Sequence, residues 1–174
     1  MKNARRRGAT TIEMTMVGIP IIFILISIFE ISRGMWMYHT AAHAVRKGVR
    51  FATVHGLNCI TNPPGVNNNC SVTANEITAA IKFAGVGLDP ATTTVTFTSL
   101  NGSFSCPLNG SDTGANCGGV WPPSGAAANK QGNLLRILVK APFNSALAMF
   151  WPGSRPMVFA RTNLNADSSD VVQF

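Results

Sequence analysis

Hydrophobic residues are concentrated in one run near the start of the chain. Residues 14–29 contain no charged side chain, and the apolar character resumes after Glu30 and Arg33 and extends to residue 38. At 1.5 Å per residue, a helix over residues 12–37 is about 39 Å long, which exceeds the ~30 Å hydrocarbon core of a bilayer. The pattern predicts one membrane helix, with Glu30 and Arg33 paired on one face near its far end.

Helical spacing continues beyond this run and predicts an amphipathic extension of the same helix to about residue 54. Its apolar positions are Ala41, Ala42, Val45, Val49 and Ala52. A face of small residues suits close packing, either on a head domain formed by the later part of the same chain or on another subunit. We favour packing on the head.

The composition changes at His55 and Gly56, after which Asn, Thr, Ser, Gly and Pro dominate. This change places the start of a head domain at residue 56. Within the head, Thr73 followed three residues later by Glu76 is a capping box, and the apolar stripe after it predicts a short helix.

Three segments of the head have the pattern of strands, namely residues 94–99, 134–141 and 156–163. Residues 101–132 are rich in Gly, Pro and Ser, and we expect a long loop there. The predicted fold class is α+β. A long N-terminal hydrophobic helix is followed by a small head with a short helix and a three- or four-stranded antiparallel sheet. The sheet packs on the stalk, which is the amphipathic extension of the N-terminal helix to about residue 54.

Four cysteines lie in the head: Cys59, Cys70, Cys106 and Cys117. If the N-terminus is cytoplasmic, as the charge distribution described next predicts, the head lies across the membrane in an oxidising compartment. Two disulfides are then the simplest outcome. Three connectivities are open, and we prefer the two local pairs, Cys59 with Cys70 and Cys106 with Cys117, each separated by eleven positions. A zinc site is disfavoured because no C-x-x-C pair is present.

The positive charge is unevenly placed. The formal net charge is +7, but Lys2, Arg5, Arg6 and Arg7 supply four positives and leave +3 for the rest. Basic residues just before an apolar run mark the cytoplasmic side of a membrane helix. The basicity therefore predicts a cytoplasmic N-terminus and no nucleic-acid partner.

Glu13 is an acid at the start of the apolar run, where a charge is costly. One interpretation is an ordinary first-turn acid favoured by the helix dipole. The other begins at Gly8: if the chain is cut after Gly8, Ala9 carries a new amine and Glu13 becomes the fifth residue. The Glu13 carboxylate can then pair with the N-terminal amine of a neighbouring subunit, so that each of two costly charges compensates the other.

Residues that could carry catalysis or bind a metal are sparse. His39 and His43 have i,i+4 spacing but no evident third ligand, and the H-E-x-x-H pattern is missing. No paired carboxylates and no Ser-His-Asp set can be nominated. We predict no enzyme activity, no cofactor and no metal.

Short motifs of the N-terminal segment stand in a characteristic order: Gly8-Ala9, Glu13, Ile19-Pro20, Glu30-Ile31-Ser32-Arg33 and the basic segment 46–52. This order resembles the N-terminal module of TadE-like proteins, which are minor pilins or pseudopilins of tight-adherence (Tad/Flp) pilus systems. The resemblance covers residues 5–54. It implies a basic leader at residues 1–8 and a membrane and stalk module at 9–55. The change of composition, not the resemblance, places the head at 56–174.

The same resemblance implies cleavage after Gly8 by a prepilin peptidase. The implied partners are membrane lipid, other pilins and proteins of the pilus assembly platform. The implied location is the inner membrane in a single pass, with the head in the periplasm or carried into an extracellular pilus.

Two functions are open at this point. The first is a pilin-like subunit for assembly of an adhesive pilus. The second is a permanently anchored periplasmic binding or scaffold protein that is neither processed nor built into a filament.

Overall fold

A computed structural model of the chain describes residues 4–56, 72–100, 102–119, 121, 130–145 and 161–173. Its elements, in chain order, are α1 (Ala4–Val54), α2 (Ala74–Ala84), β1 (Thr94–Ser99), β2 (Gly102–Pro107), β3 (Leu134–Asn144) and β4 (Arg161–Val171).

Helix α1 is 51 residues long and includes Pro20. The prediction that the apolar helix continues to about residue 54 is confirmed. The helix has two different environments along its length. Large side chains are exposed from Ile12 to Ile31, whereas Ala41, Ala44 and Val45 are fully buried.

Helix α2 begins with the predicted capping box. The Glu76 N–H donates to Thr73 Oγ1 at 3.2 Å, and the Thr73 N–H donates to Glu76 Oε2 at 2.7 Å. Two of the free N–H groups at the start of the helix are thereby satisfied. Ile77 and Ile81 are fully buried, so the apolar stripe of α2 faces the core.

The four strands form one antiparallel sheet with the order β2-β1-β3-β4. The register places Val95 beside Val139 and Phe97 beside Ile137, and these four side chains are buried. The intervening residues face away from the core, as strand alternation requires. The predicted α+β class with a small antiparallel sheet is confirmed.

One expectation for the head was wrong, and one strand extends beyond its predicted end. Residues 102–107 form β2 where a loop was expected, because Phe104 and Cys106 still alternate inward in a segment of small polar residues. Of the third predicted strand, residues 156–160 lie outside the described residues, and residues 161–163 belong to β4, which continues to Val171. Both β2 and β4 are edge strands, where polar residues are tolerated and the hydrophobic alternation is weak.

The Cys106–Cys117 disulfide is present, with an S–S distance of 2.08 Å, and it confirms this predicted local pair. The other preferred pair, Cys59–Cys70, lies outside the described residues. Trp121 is buried in the same core as the disulfide, and its ring packs against Phe97 and Phe104, at centroid distances of 5.3 and 6.2 Å. Trp121 therefore fills the core over β1 and β2.

The head has two layers, since α1 and α2 pack together over the inner face of the sheet. Helix α1 lies against β3 and β4. Its small-residue face is buried at Ala41, Val45, Val49 and Ala52. The prediction that this face packs on the chain's own head is confirmed.

Candidate functional site

The exposed part of α1 is the largest apolar surface in the described part of the chain. Phe29, Met14 and Met16 are each about three-quarters exposed, and the helix is long and apolar enough to cross a membrane. None of its most apolar window is buried within the structure. An apolar surface of this extent marks a membrane or protein contact, and this one suggests a membrane anchor.

Hydroxyl groups on this segment are satisfied by the helix itself. Thr15 Oγ1 donates to the Ile12 carbonyl at 2.9 Å, and the Ser27 and Ser32 hydroxyls donate to carbonyls four residues earlier, each at 2.8 Å. Because hydrocarbon offers no hydrogen-bond partners, such bonds lower the cost of placing these side chains in a bilayer.

Pro20 is inside this segment and lacks the N–H that would bond to the Met16 carbonyl. Neighbouring helices can accommodate the weakened turn in a membrane bundle.

Glu13 lies one helical turn after Ala9 in continuous helix, and its side chain is exposed. Positions four apart share a helix face, so the Glu13 carboxylate extends from the same face as Ala9. Gly8 and Ala9, the residues of the predicted processing site, are within the helical segment.

The head begins to cover α1 at Arg33. The Arg33 Nη1 donates to the Asn144 carbonyl at 3.3 Å, and its guanidinium lies 5.3 Å from the centre of the Phe143 ring. Nη1 also lies 3.8 Å from Glu30 Oε1, which places the two residues of the predicted pair together. The Glu30 side chain is only 13% exposed, although its neighbours in this part of α1 are mostly exposed.

Helix α2 and the turn that follows it run back along α1 toward Arg33. Gly48 faces Ile81, Gly85 faces Ala44, and Gly87 faces Trp36. A Cβ on Gly87, which has φ of +92°, would lie 2.5 Å from the Trp36 ring. The absence of a side chain at these glycines brings the head close to the helix.

Three residues at this junction were not identified from the sequence as contact residues. Gly87 has a positive φ, and a Gly after a helix signals such a turn. Asp89 accepts hydrogen bonds from the Ala91 N–H and the Thr92 hydroxyl, at 3.0 and 2.9 Å, and so fixes the turn that leads into β1. Trp36 lies in the last part of the apolar run, and its pattern there gives no sign of a contact with the head.

The two histidines weighed as metal ligands, His39 and His43, are both exposed. Within the described ranges, no group of three His, Cys, Asp or Glu side chains is placed to hold a metal ion. The third histidine, His55, is buried at the end of α1, with Nδ1 2.6 Å from the Phe51 carbonyl.

A family model described as TadE-like protein matches residues 8–50. The matched segment lies entirely within α1 and includes both its exposed part and much of the face that packs on the head. No curated protein and no solved structure matches the chain. The family is a structural one associated with tight-adherence pili, so the match suggests a pilus-associated protein. Over residues 8–50 the chain is therefore similar to TadE-like proteins, and the matched segment continues without a break into the core helix of the head.

Proposed function

We propose that the chain is a minor pilin or pseudopilin that takes part in assembly of a tight-adherence pilus. One observation carries this proposal: the exposed apolar segment and the core helix of the head are parts of one continuous helix, α1. Packing of the exposed segments side by side would therefore set the positions of the heads. This is the mechanical requirement for a subunit that assembles through its helix.

Before assembly, the membrane holds the exposed segment. Residues 12–32 precede Arg33, which contacts the described part of the head, and they span about 30 Å as a helix, which matches a bilayer core. Arg5, Arg6 and Arg7 keep the N-terminus in the cytoplasm, so the head is on the periplasmic side.

Processing after Gly8 removes the basic leader and leaves Ala9 as the first residue. Glu13 then pairs with the Ala9 amine of an adjacent subunit when exposed helices pack together. An unpaired carboxylate in an apolar bundle is strongly unfavourable, whereas a pair with an amine compensates both charges. Glu13 thus selects the register in which one helix packs on the next.

The alternative is a permanently anchored scaffold that binds a partner through its head. Exposed apolar side chains on the head favour it, since Phe83 is 89% exposed and Leu100 is 72% exposed. In this alternative the leader stays on the chain and Glu13 has no role in assembly.

Substitution of Glu13 tests the proposal in cells that assemble the pilus. We expect Glu13→Gln and Glu13→Ala to leave the chain in the membrane at its normal level but to reduce sheared pili at least tenfold. The matched control is Asp167→Asn, an exposed acid on the outer face of the sheet. Normal piliation with both Glu13 variants would exclude the assembly role.

A further inference from the structure

A cleft of about 270 Å³ lies where the exposed part of α1 meets the head. Arg33 and Trp36 of α1 line one side, and Asp89, Thr92 and Asn144 of the head line the other. Its volume is below the ~300–1,000 Å³ of typical small-molecule pockets. The cleft can therefore hold a small polar group but not a whole lipid or a large cofactor.

The cleft contains one positive and one negative side chain that do not neutralise each other. Arg33 pairs with Glu30, and no ion pair between described residues joins Arg33 to Asp89. A ligand with separated negative and positive groups can bridge the two charges.

Both charges are held in place and still have free bonding capacity. The contacts of Arg33 with Asn144 and Glu30 use Nη1, and no described residue accepts a hydrogen bond from Nε or Nη2. Each Asp89 oxygen accepts one hydrogen bond from its own turn, and a carboxylate oxygen can accept a second.

The position of the cleft points to the source of the ligand. Arg33 follows directly on the exposed apolar segment, and Trp36 is the kind of residue that lies at headgroup level. The exposed side chains before Arg33, such as Phe29, offer an apolar surface along which acyl chains can lie.

We propose that this cleft binds the headgroup of a phospholipid that carries both a phosphodiester and a primary ammonium group. Arg33 binds the phosphodiester and Asp89 binds the ammonium. The inference rests on the proposed membrane anchoring of α1. It also predicts selectivity, because Asp89 repels a purely anionic headgroup and a quaternary ammonium has no N–H to donate to it.

The test is a titration of the full chain in detergent micelles, followed by native mass spectrometry. The three probes are phosphatidylethanolamine, phosphatidylglycerol and phosphatidylcholine with identical acyl chains. We expect the ethanolamine lipid to bind at least about fivefold more tightly than the other two. Soluble phosphoethanolamine is a fourth probe, and binding as tight as that of its lipid would contradict a membrane lipid as the ligand.

Three variants test whether Arg33 binds the phosphodiester and Asp89 binds the ammonium group. Arg33→Gln should weaken binding of the ethanolamine lipid about tenfold, while Arg33→Lys should retain most of it. Asp89→Asn should abolish the preference over phosphatidylglycerol. Arg136→Gln, at the exposed ion pair on the outer sheet face, is the matched control and should bind like the wild type.

Equal affinity of the wild type for all three lipids would overturn the inference, as would an unchanged preference in Asp89→Asn. If Arg33→Gln fails to fold because its contacts with Phe143 and Asn144 are lost, the lipid affinities of Arg33→Lys and Asp89→Asn test the inference in its place. Carbonate extraction of native membranes is measured in parallel. Release of the chain would contradict the anchor and the proposed function, whereas retention with no lipid selectivity would contradict this inference alone.

Discussion

Gly48 of α1 lies directly against Ile81 of α2, so close that a Cβ on Gly48 would overlap the Ile81 side chain. Both residues are buried, and Ile81 has no exposed surface. Gly48 is within the segment that matches the TadE-like family model. The contact therefore joins the module to a head that the family model does not cover.

Gly48→Ala should destabilise the head by about 1–3 kcal/mol, because the added methyl group overpacks the contact with Ile81. The better helix propensity of Ala offsets at most ~1 kcal/mol of this loss. Denaturant unfolding in mild detergent, followed by Trp fluorescence, measures the free energy of unfolding. Gly18→Ala is the matched control, since no atom lies within 4 Å of its added Cβ. Equal stability of the two variants would contradict the close contact.

Gly87 and Gly132 form a natural pair for a second prediction, because both have φ of +92°. A Cβ on Gly87 would collide with Trp36, whereas no atom lies within 4 Å of a Cβ on Gly132. Gly132→Ala should cost about 1–2 kcal/mol from backbone strain alone. Gly87→Ala should cost at least ~1 kcal/mol more and alter the near-UV circular dichroism of Trp36. Identical unfolding midpoints would show that Trp36 does not pack there.

The Cys106–Cys117 disulfide should contribute about 2–4 kcal/mol to the stability of the head, since it closes a loop over a sequence separation of 11. The Asn75 N–H at the start of α2 donates to the Cys117 carbonyl at 3.0 Å, so loss of the disulfide should also loosen that end of the helix. Hydrogen exchange of the Cys106→Ala/Cys117→Ala variant measures both effects. Ser105→Ala, next to the disulfide on the exposed face, is the control. Unchanged protection at Asn75 in the double variant would contradict the coupling.

The capping box gives a fourth prediction. Thr73→Ala removes the hydroxyl that accepts from the Glu76 N–H, and the free energy of unfolding should fall by about 1 kcal/mol. Thr98→Ala, on the exposed face of β1, should change stability by less than half as much. The unfolding midpoints in urea compare the two, and a larger loss in Thr98→Ala would argue against the cap.

Helices and strands with a strong local pattern of apolar or capping residues were predicted correctly from the sequence. The apolar run predicted α1, the pair Thr73 and Glu76 predicted the start of α2, and the alternation from Val95 to Phe97 predicted β1 with its observed bounds. Such elements are specified by residues close together in the chain.

The edge strands and the junction could not be predicted in this way. Strand β4 has Ala166 as a buried residue among Asn, Asp and Ser, so its position depends on pairing with β3 rather than on its own pattern. Similarly, the cleft between Arg33 and Asp89 joins residues far apart in the chain. Only the tertiary packing of α1 against the turn after α2 brings them together.

The intact mass of the chain, purified from membranes of a cell with an active tight-adherence system, tests the central claim most directly. The account predicts a mature chain that begins at Ala9, without the leader that carries Lys2 and Arg5–Arg7. A parallel sample from cells that lack the prepilin peptidase should retain the leader. A chain of unprocessed mass in cells with an active peptidase would contradict the account and favour a permanently anchored scaffold.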